Sequence, residues 1–326
     1  MPTTNAENKK GKAPRNRTIT LSAQEVARYA AQCLTLPDGA APIPRADLTD
    51  SIIRGDAFAA LACLPDEFVD LLIVDPPYNL QKNYGDSTFR KMDAEDYIAF
   101  TERWIAAVKH TLKPTASLYV CCDWQTSLLI GGVLQRHFRL QNRITWQREK
   151  GRGAARNWKN CTEDIWFATN SARYTFHAER VKLRRRVIAP YKAAGQPKDW
   201  VETADGKYRD TFASNFWDDI SIPYWSMPEN TDHPAQKPEK LLAKLILASS
   251  EPGDWVLDPF LGSGTTAVAA RKLGRRFVGI ESQQLYCALA QKRLELVQAA
   301  PSIQGLTDGV FWERNSAPRR KGVKKG

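Results

Sequence analysis

Two short strings hold the residues best suited to chemistry. Asp75-Pro76-Pro77-Tyr78 follows the apolar run Leu71-Leu72-Ile73-Val74, and Asp258-Pro259-Phe260-Leu261-Gly262-Ser263-Gly264-Thr265-Thr266 follows Trp255-Val256-Leu257. Each reads as a buried strand that ends in an acid and a tight turn, where an open α/β sheet builds its ligand site. In the first string the Asp75 carboxylate can accept one N–H of an exocyclic amine. The Pro76 carbonyl, its direction fixed by the locked X-Pro-Pro backbone with Pro77, can accept the other. Two such acceptors draw the N–H bonds out of plane and aim the nitrogen lone pair, so that orientation does most of the catalysis. Tyr78 adds a ring face on which a base can stack. The bland alternative is a rigid turn that stops a strand.

In the second string, Gly262-Ser263-Gly264 sits between a strand and a helix. The unpaired N–H groups of a helix N-terminus suit a carboxylate or phosphate. The pattern is neither a P-loop nor a full dinucleotide fingerprint, and alone it is an ordinary glycine turn. Glu281, which ends the next strand as Gly279-Ile280-Glu281, supplies a carboxylate where ribose hydroxyls bind. Together they favour a nucleoside-containing cofactor, and the two strings point to transfer of a group onto an amine.

The elements that must position these strings follow from periodicity. The pattern predicts strands over 51–56, 70–75, 117–122, 139–147 and 164–168, and a long amphipathic helix over 94–112 with Tyr97, Phe100, Trp104, Ile105 and Val108 at helical spacing, ended by Pro114. Helix-compatible spacing also covers 57–64. Regular α/β order returns with helices over 239–249, 265–273 and 283–298 and strands over 255–258 and 276–281. Between about 148 and 232 the rhythm breaks, and we expect a loop-rich lobe. Residues 1–17 and 316–326 are polar and basic and read as disordered tails. There is no internal repeat.

Charge supports the same division. The net charge of +11 is concentrated: residues 143–192 hold 13 basic and 4 acidic side chains, while the tails add +4 over 1–17 and +5 over 316–326, leaving the remainder net acidic. A polyanion binder needs such segregation, because each neutralised phosphate releases counterions. A solvated basic face is the alternative. The six cysteines show no CxxC spacing, so neither zinc nor a disulfide framework is expected and a reducing cytoplasm fits. No apolar run is long enough for a membrane helix and the N-terminus has no signal core.

Asp258-Pro259-Phe260-Leu261-Gly262-Ser263-Gly264 resembles the cofactor motif of amino-group DNA methyltransferases, which use S-adenosyl-L-methionine, and Asp75-Pro76-Pro77-Tyr78 resembles their catalytic motif. The order, catalytic motif first and cofactor motif last with a variable lobe between, is similar to the β class of that group. The resemblance covers roughly 51–298. His233-Pro234-Ala235-Gln236-Lys237-Pro238 is similar to a further motif, with Ala235 where the family usually has Thr, and Gly55-Asp56 resembles the strand end that meets the adenine of the cofactor.

The resemblance implies an α/β, Rossmann-like S-adenosylmethionine-dependent methyltransferase fold with circularly permuted motif order. It divides the chain into a catalytic half (18–147), a target-recognition lobe (148–232), a cofactor half (233–300) and an extension (301–326). It implies Glu281 on the ribose, Asp56 at the adenine, and Asp258, Phe260, Gly262, Ser263, Gly264, Thr265 and Thr266 around the methionine portion. Lys237 would meet the methionine carboxylate, with a surface lysine as the alternative, and His233 would join the cofactor site or merely cap and pack.

The implied reaction is methyl transfer to the N6 amine of a flipped-out adenine in duplex DNA. Cytosine N4 is the alternative, less favoured because cytosine-N4 enzymes more often have Ser in place of Asp75. A non-catalytic DNA-binding protein on the same scaffold is a second alternative, and RNA as substrate a weaker one. No catalytic cysteine is implied, since neither Cys121 nor Cys122 lies in a Pro-Cys dipeptide. The basic lobe supplies candidate DNA contacts: Arg143, Arg148, Lys150, Arg152, Arg156, Lys159, Arg180, Lys182, Arg184, Arg185 and Arg186, each more a phosphate contact or solvated charge than a base reader. Expected partners are double-stranded DNA, a second copy in a homodimer and a cognate restriction endonuclease, with no membrane and no metal.

Overall fold

Eight strands form one sheet whose centre joins the two halves of the chain. The computed structural model describes residues 13–37, 39–84, 87–148, 155–188, 191–203 and 206–313. Across the sheet the order is Ser51–Arg54, Arg276–Glu281, Trp255–Asp258, Val69–Val74, Leu112–Cys122, Thr162–Thr169, Arg139–Gln147 and Phe216–Trp217. Neighbours run parallel, except that Thr162–Thr169 is antiparallel to both strands beside it. Trp255–Asp258 lies directly against Val69–Val74, with Val256 opposite Leu71 and Leu257 opposite Leu72. The chain winds outward from this pair in opposite directions, so the switch point of the sheet falls between the two motif strands.

Away from two register shifts, the strands alternate between two cores. Ile52, Leu71, Ile73, Tyr119, Cys121, Val256 and Phe277 face one, shared with Leu241, Leu245, Ala267 and Cys287 of the helices Glu239–Ser249, Thr265–Lys272 and Gln284–Leu296. Ile53, Leu72, Val74, Leu118, Val120, Leu257 and Val278 face the other, with Tyr97, Trp104 and Ile130 of the helices Ala94–Lys109 and Trp124–His137. Cover on both faces is why the central strands read as continuous apolar runs rather than alternating ones.

Two expectations need adjustment. The helix from Ala94 ends at Lys109, not at 112, and Pro114 lies inside the strand Leu112–Cys122. The register between Val69–Val74 and this strand shifts after Val69 opposite Leu112 and resumes at Leu71 opposite Ser117. Pro114 occupies that irregularity, where its missing N–H breaks no ladder bond. The helices Ala23–Ala30, opened by a Ser22/Glu25 capping box, and Trp124–His137, capped by Asp123, escaped the sequence reading.

The segment 148–232 carries more order than its composition suggested. Leu183–Arg186, Val201–Thr203 and Gly206–Thr211 form a second sheet, completed by Leu306–Thr307 and Val310–Trp312 from beyond the last helix. Phe311 is fully buried there, so the extension after residue 300 is built into the lobe. Residues 16–19 run along 225–231 through Arg17 N–H to Trp225 O at 2.7 Å and Ile19 N–H to Asn230 O at 2.8 Å. Among the described residues, no helix is long and apolar enough to cross a membrane, no group of His, Cys, Asp and Glu could hold a metal, and the cysteines are free.

Candidate active site

A cavity of about 620 Å³ opens at the carboxyl ends of the central strands. Its size suits a small-molecule site. Asp56, Asp75, Pro76, Pro77, Tyr78, His233, Lys237, Asp258, Phe260, Gly262, Ser263, Thr265, Thr266 and Glu281 all line it. The sheet therefore brings every expected catalytic residue and all but one of the expected cofactor residues to one place. The exception is Gly264.

The cofactor side is a loop held from several directions. Gly262 and Gly264 both adopt the left-handed backbone region, at φ +55° and +83°, which glycine enters without a Cβ penalty. A Cβ on Gly264 would stand 2.5 Å from the Ala290 Cβ on the helix Gln284–Leu296. Helix–loop packing therefore requires a glycine at 264, a ground the sequence expectation of ligand approach did not include. Asp258 is buried and engaged on both oxygens, accepting from the Thr266 hydroxyl at 2.6 Å and the Phe260 N–H at 3.0 Å. Burial pushes its carboxyl up to about 7, with those two hydrogen bonds acting in the opposite sense.

Glu281 accepts the Gly262 N–H at 2.9 Å and the Gln283 N–H at 2.7 Å. Burial raises its pKa against the pull of these bonds. Asp56 caps the helix Ala57–Leu61 through one oxygen, which accepts from Phe58 N–H and Ala59 N–H at 3.0 Å. The His233 ring packs edge-on against Tyr286, with centroids 4.4 Å apart, and its Nδ1 accepts the Ala235 N–H at 3.3 Å. Burial, reinforced by Lys237, lowers its pKa to about 3, so it is neutral.

A buried arginine that sequence reasoning missed fixes the loop from behind. Arg293 donates to Ser263 O and to Thr265 Oγ1, both at 2.9 Å, and to Glu239 at 3.1 Å, while Lys272 pairs with the other oxygen of Glu239 at 2.7 Å. A basic residue on the apolar stripe of a helix was the only signal available for it.

The catalytic side is a charge network. Asp75 Oδ2 accepts from the Lys237 ammonium at 2.6 Å, and Lys237 lies 3.6 Å from Glu163. Glu163 also accepts the Tyr78 hydroxyl at 3.2 Å and the Arg148 guanidinium at 2.5 Å. The ammonium stands 5.2 Å from the centroid of the Tyr78 ring. Burial works against the charge on Lys237, but Asp75 and Glu163 outweigh it and hold its pKa above the usual lysine range. Lys237, expected on a cofactor carboxylate, meets two protein carboxylates here.

The second oxygen of Asp75, Oδ1, is buried and has no hydrogen-bond partner among the described residues. A buried carboxylate oxygen without a donor is costly. Oδ1 is therefore poised for a donor that arrives with a ligand. Burial pushes the thiol of Cys121, which also lines the cavity, well above its ordinary pKa, so it stays protonated and is no nucleophile.

The candidate DNA contacts are scattered in a way charge counting could not show. Arg184 forms a two-pronged pair with Asp210, both contacts at 2.7 Å, and Arg180 pairs with Glu251 at 2.8 and 3.1 Å. Arg185 reaches Glu313 at 3.3 Å and Asp218 at 3.5 Å, and Lys182 reaches Glu179 at 2.5 Å. Each of these candidate phosphate contacts therefore meets a carboxylate of the protein itself. Arg143 stands 3.9 Å from Asp164, and Arg148 belongs to the cavity itself. The Arg186 side chain is exposed, and its backbone N–H meets Glu313 at 3.4 Å. Arg156 and Lys159 are exposed on the stretch that leads to the cavity residues Asn160 and Thr162, with the Trp158 ring 93% exposed between them. Lys150 and Arg152 lie outside the described residues.

Comparison with known proteins agrees with this geometry. A family model described as DNA methylase, of the N6/N4 type, matches residues 69–292. The DNA adenine methyltransferase YhdJ of Escherichia coli (strain K12) is 34% identical over 254 residues, 76% of this chain and 83% of that protein. The type II methyltransferase M.HpaI of Haemophilus parainfluenzae is 31% identical over 247 residues, 75% of this chain and 74% of that protein. Among solved structures, the PvuII DNA methyltransferase (cytosine-N4-specific) superposes with a TM-score of 0.54 at 20% identity, covering 74% of this chain and 85% of that one.

Proposed function

We propose, from the premise that this chain belongs to the N6/N4 family of DNA methylases, that it methylates the N6 amine of an adenine flipped out of duplex DNA. The fold is the Rossmann-like one of S-adenosylmethionine-dependent methyltransferases. The methyl donor is S-adenosyl-L-methionine, which supplies an activated methyl group on sulfur when bound. The residues present fit it: the Gly262–Thr266 loop with Phe260 for the methionine portion, and Glu281 at the strand end for ribose hydroxyls. The adenine of the cofactor is assigned to the neighbourhood of Asp56, where one carboxylate oxygen remains beyond the two capping bonds.

The observation that carries the reading is the unpartnered Asp75 Oδ1 in the cavity wall, on the strand beside the cofactor loop. It accepts one N–H of the target amine and the Pro76 carbonyl accepts the other, which turns the nitrogen lone pair toward the methyl group. The Tyr78 ring provides the stacking face. Asp75 at the head of the motif and the name of the relative YhdJ support adenine over cytosine. Arg156 and Lys159, at the mouth, are assigned to DNA phosphates, with Trp158 between them placed to stack on exposed bases. This activity sits in the cytoplasm in our reading.

The test is direct. Purified protein with labelled cofactor and duplex DNA should yield N6-methyladenine on nucleoside analysis, and Asp75→Ala should abolish turnover while cofactor affinity stays within a few-fold. N4-methylcytosine alone would move the assignment to cytosine. No methylated base, or an active Asp75→Ala variant, would overturn the mechanism.

A further inference from the structure

We propose that Glu163 is a positioning residue for methyl transfer, holding Tyr78 and Lys237 as one unit so that the amine acceptor Asp75 keeps an open oxygen at a fixed place. The proposal rests on the reading of the cavity given above and extends it to a residue on another strand.

Glu163 sits in Thr162–Thr169, the strand that runs antiparallel to its neighbours, and its side chain is 7% exposed. Pleating sends the next residue, Asp164, to the opposite face, where it accepts from the Thr145 hydroxyl at 2.9 Å. Burying a carboxylate is unfavourable unless its oxygens are paired. The partners of Glu163 are Tyr78, Arg148 and Lys237, and all three line the same cavity. A carboxylate that served only the core would be paired within the core.

Each contact has a consequence for Asp75. Oε2 of Glu163 accepts the Tyr78 hydroxyl, which fixes the rotation of the ring and hence the plane of any base stacked on it. The same oxygen is the second neighbour of the Lys237 ammonium, after Asp75 Oδ2. With Glu163 ionised, Lys237 is shared between two negative charges, and its grip on Asp75 is limited to one oxygen. Without that charge the ammonium settles wholly on Asp75, competes for Oδ1 and weakens the acceptor that the amine needs. Oε1 of Glu163, paired with Arg148, fixes the carboxylate plane from the side of the lobe. Glu163 does not bond the cofactor loop, so cofactor binding is separable from this role.

The decisive variant is Glu163→Gln, which keeps the shape but removes the charge and leaves one amide oxygen where two carboxylate oxygens met Tyr78, Lys237 and Arg148. Single-turnover methylation should slow by roughly tenfold to a hundredfold, the scale of a small misplacement of reacting groups, with cofactor affinity within threefold of wild type. Tyr78→Phe, which deletes only the hydroxyl, should slow the same step. The double variant should be no slower than the slower single one, because both changes release the same unit. A duplex with 2-aminopurine at the target position should fluoresce more brightly with either variant than with wild type, since a loosened ring quenches it less.

A merely structural role would lower stability and cofactor affinity together and leave the two substitutions additive. That pattern, or a Glu163→Gln rate within twofold of wild type, overturns the proposal. If Glu163→Gln does not fold, Tyr78→Phe still decides: an unchanged rate and unchanged emission sink the idea. The emission needs base placement but no turnover, so a wild type that quenches the probe yet methylates nothing would overturn the proposed function while leaving this inference readable.

Discussion

On the proposed function, Asp258 sits where a proton and a cation compete. Its carboxyl is lifted from an ordinary 3.8 to about 7, mainly by burial. The folded protein therefore holds this proton more tightly than the unfolded chain does, and the free protein loses stability as pH rises between those two values. A sulfonium cation bound in the same cavity favours the ionised carboxylate, so binding should release a proton below pH 7. Cofactor affinity is expected to rise as pH approaches about 7 and then level off. Asp258→Asn, whose Oδ1 can still accept the Phe260 N–H while its amide N–H donates to the Thr266 hydroxyl turned round to accept, should flatten that profile. Isothermal titration in buffers of different ionisation enthalpy measures both quantities; a flat wild-type profile would remove the argument. At this scale the sequence was informative about residue types and poor about partners. Asp75 and Glu281 were legible because a strand end in an α/β sheet has a known use. Glu163 and Arg293 were not, since their value comes from side chains brought in from distant strands and helices.

Gly264 shows how an element can hide behind a site. The sequence reading gave this glycine to the ligand, whereas the nearest atoms to its missing side chain belong to Ala290. Gly264→Ala should lower stability by about 2–4 kcal/mol, from overpacking plus a left-handed backbone forced on a residue with a Cβ. Ala290→Gly in the same chain should recover part of that loss, the overpacking part only. Thermal unfolding of the three variants reads it out, and a stable Gly264→Ala protein that loses only cofactor affinity would restore the original reading. The main strands and the last three helices were legible because burial on both sheet faces, or on one helix face, leaves a period in the sequence. Pro114 misled because a proline normally ends a helix, and here a strand irregularity accommodates it. The lobe sheet was illegible because its strands are short, its ion pairs replace apolar periodicity, and two of its strands arrive from beyond residue 300.

Across the whole molecule, positive charge divides into structural and available parts. Arg180, Arg184 and Arg185 are paired with Glu251, Asp210, Asp218 and Glu313, while Arg156 and Lys159 stand exposed on the stretch that leads to the cavity residue Asn160. Replacing Arg156 and Lys159 with Ala should weaken DNA binding uniformly and reduce the salt slope by about two, one for each phosphate no longer neutralised. Arg184→Ala should instead lower stability and leave the slope unchanged. Equal slopes for all variants would place the docking surface elsewhere. Net charge had pointed to a polyanion and to one stretch of chain, but a tally of charges carries no record of which carboxylate each one meets.

The adjacency of Val69–Val74 and Trp255–Asp258 also sets a timetable for synthesis. The ribosome delivers the first strand long before the second, an interval on the order of ten seconds or more at roughly 5–20 residues per second. Through that interval the nascent sheet ends in a bare edge that is apolar apart from Asp70, the kind that pairs with other chains. Slowing translation between the two strands should thus raise the insoluble fraction in a cell, and supplying the second half as a separate, earlier-made polypeptide should lower it.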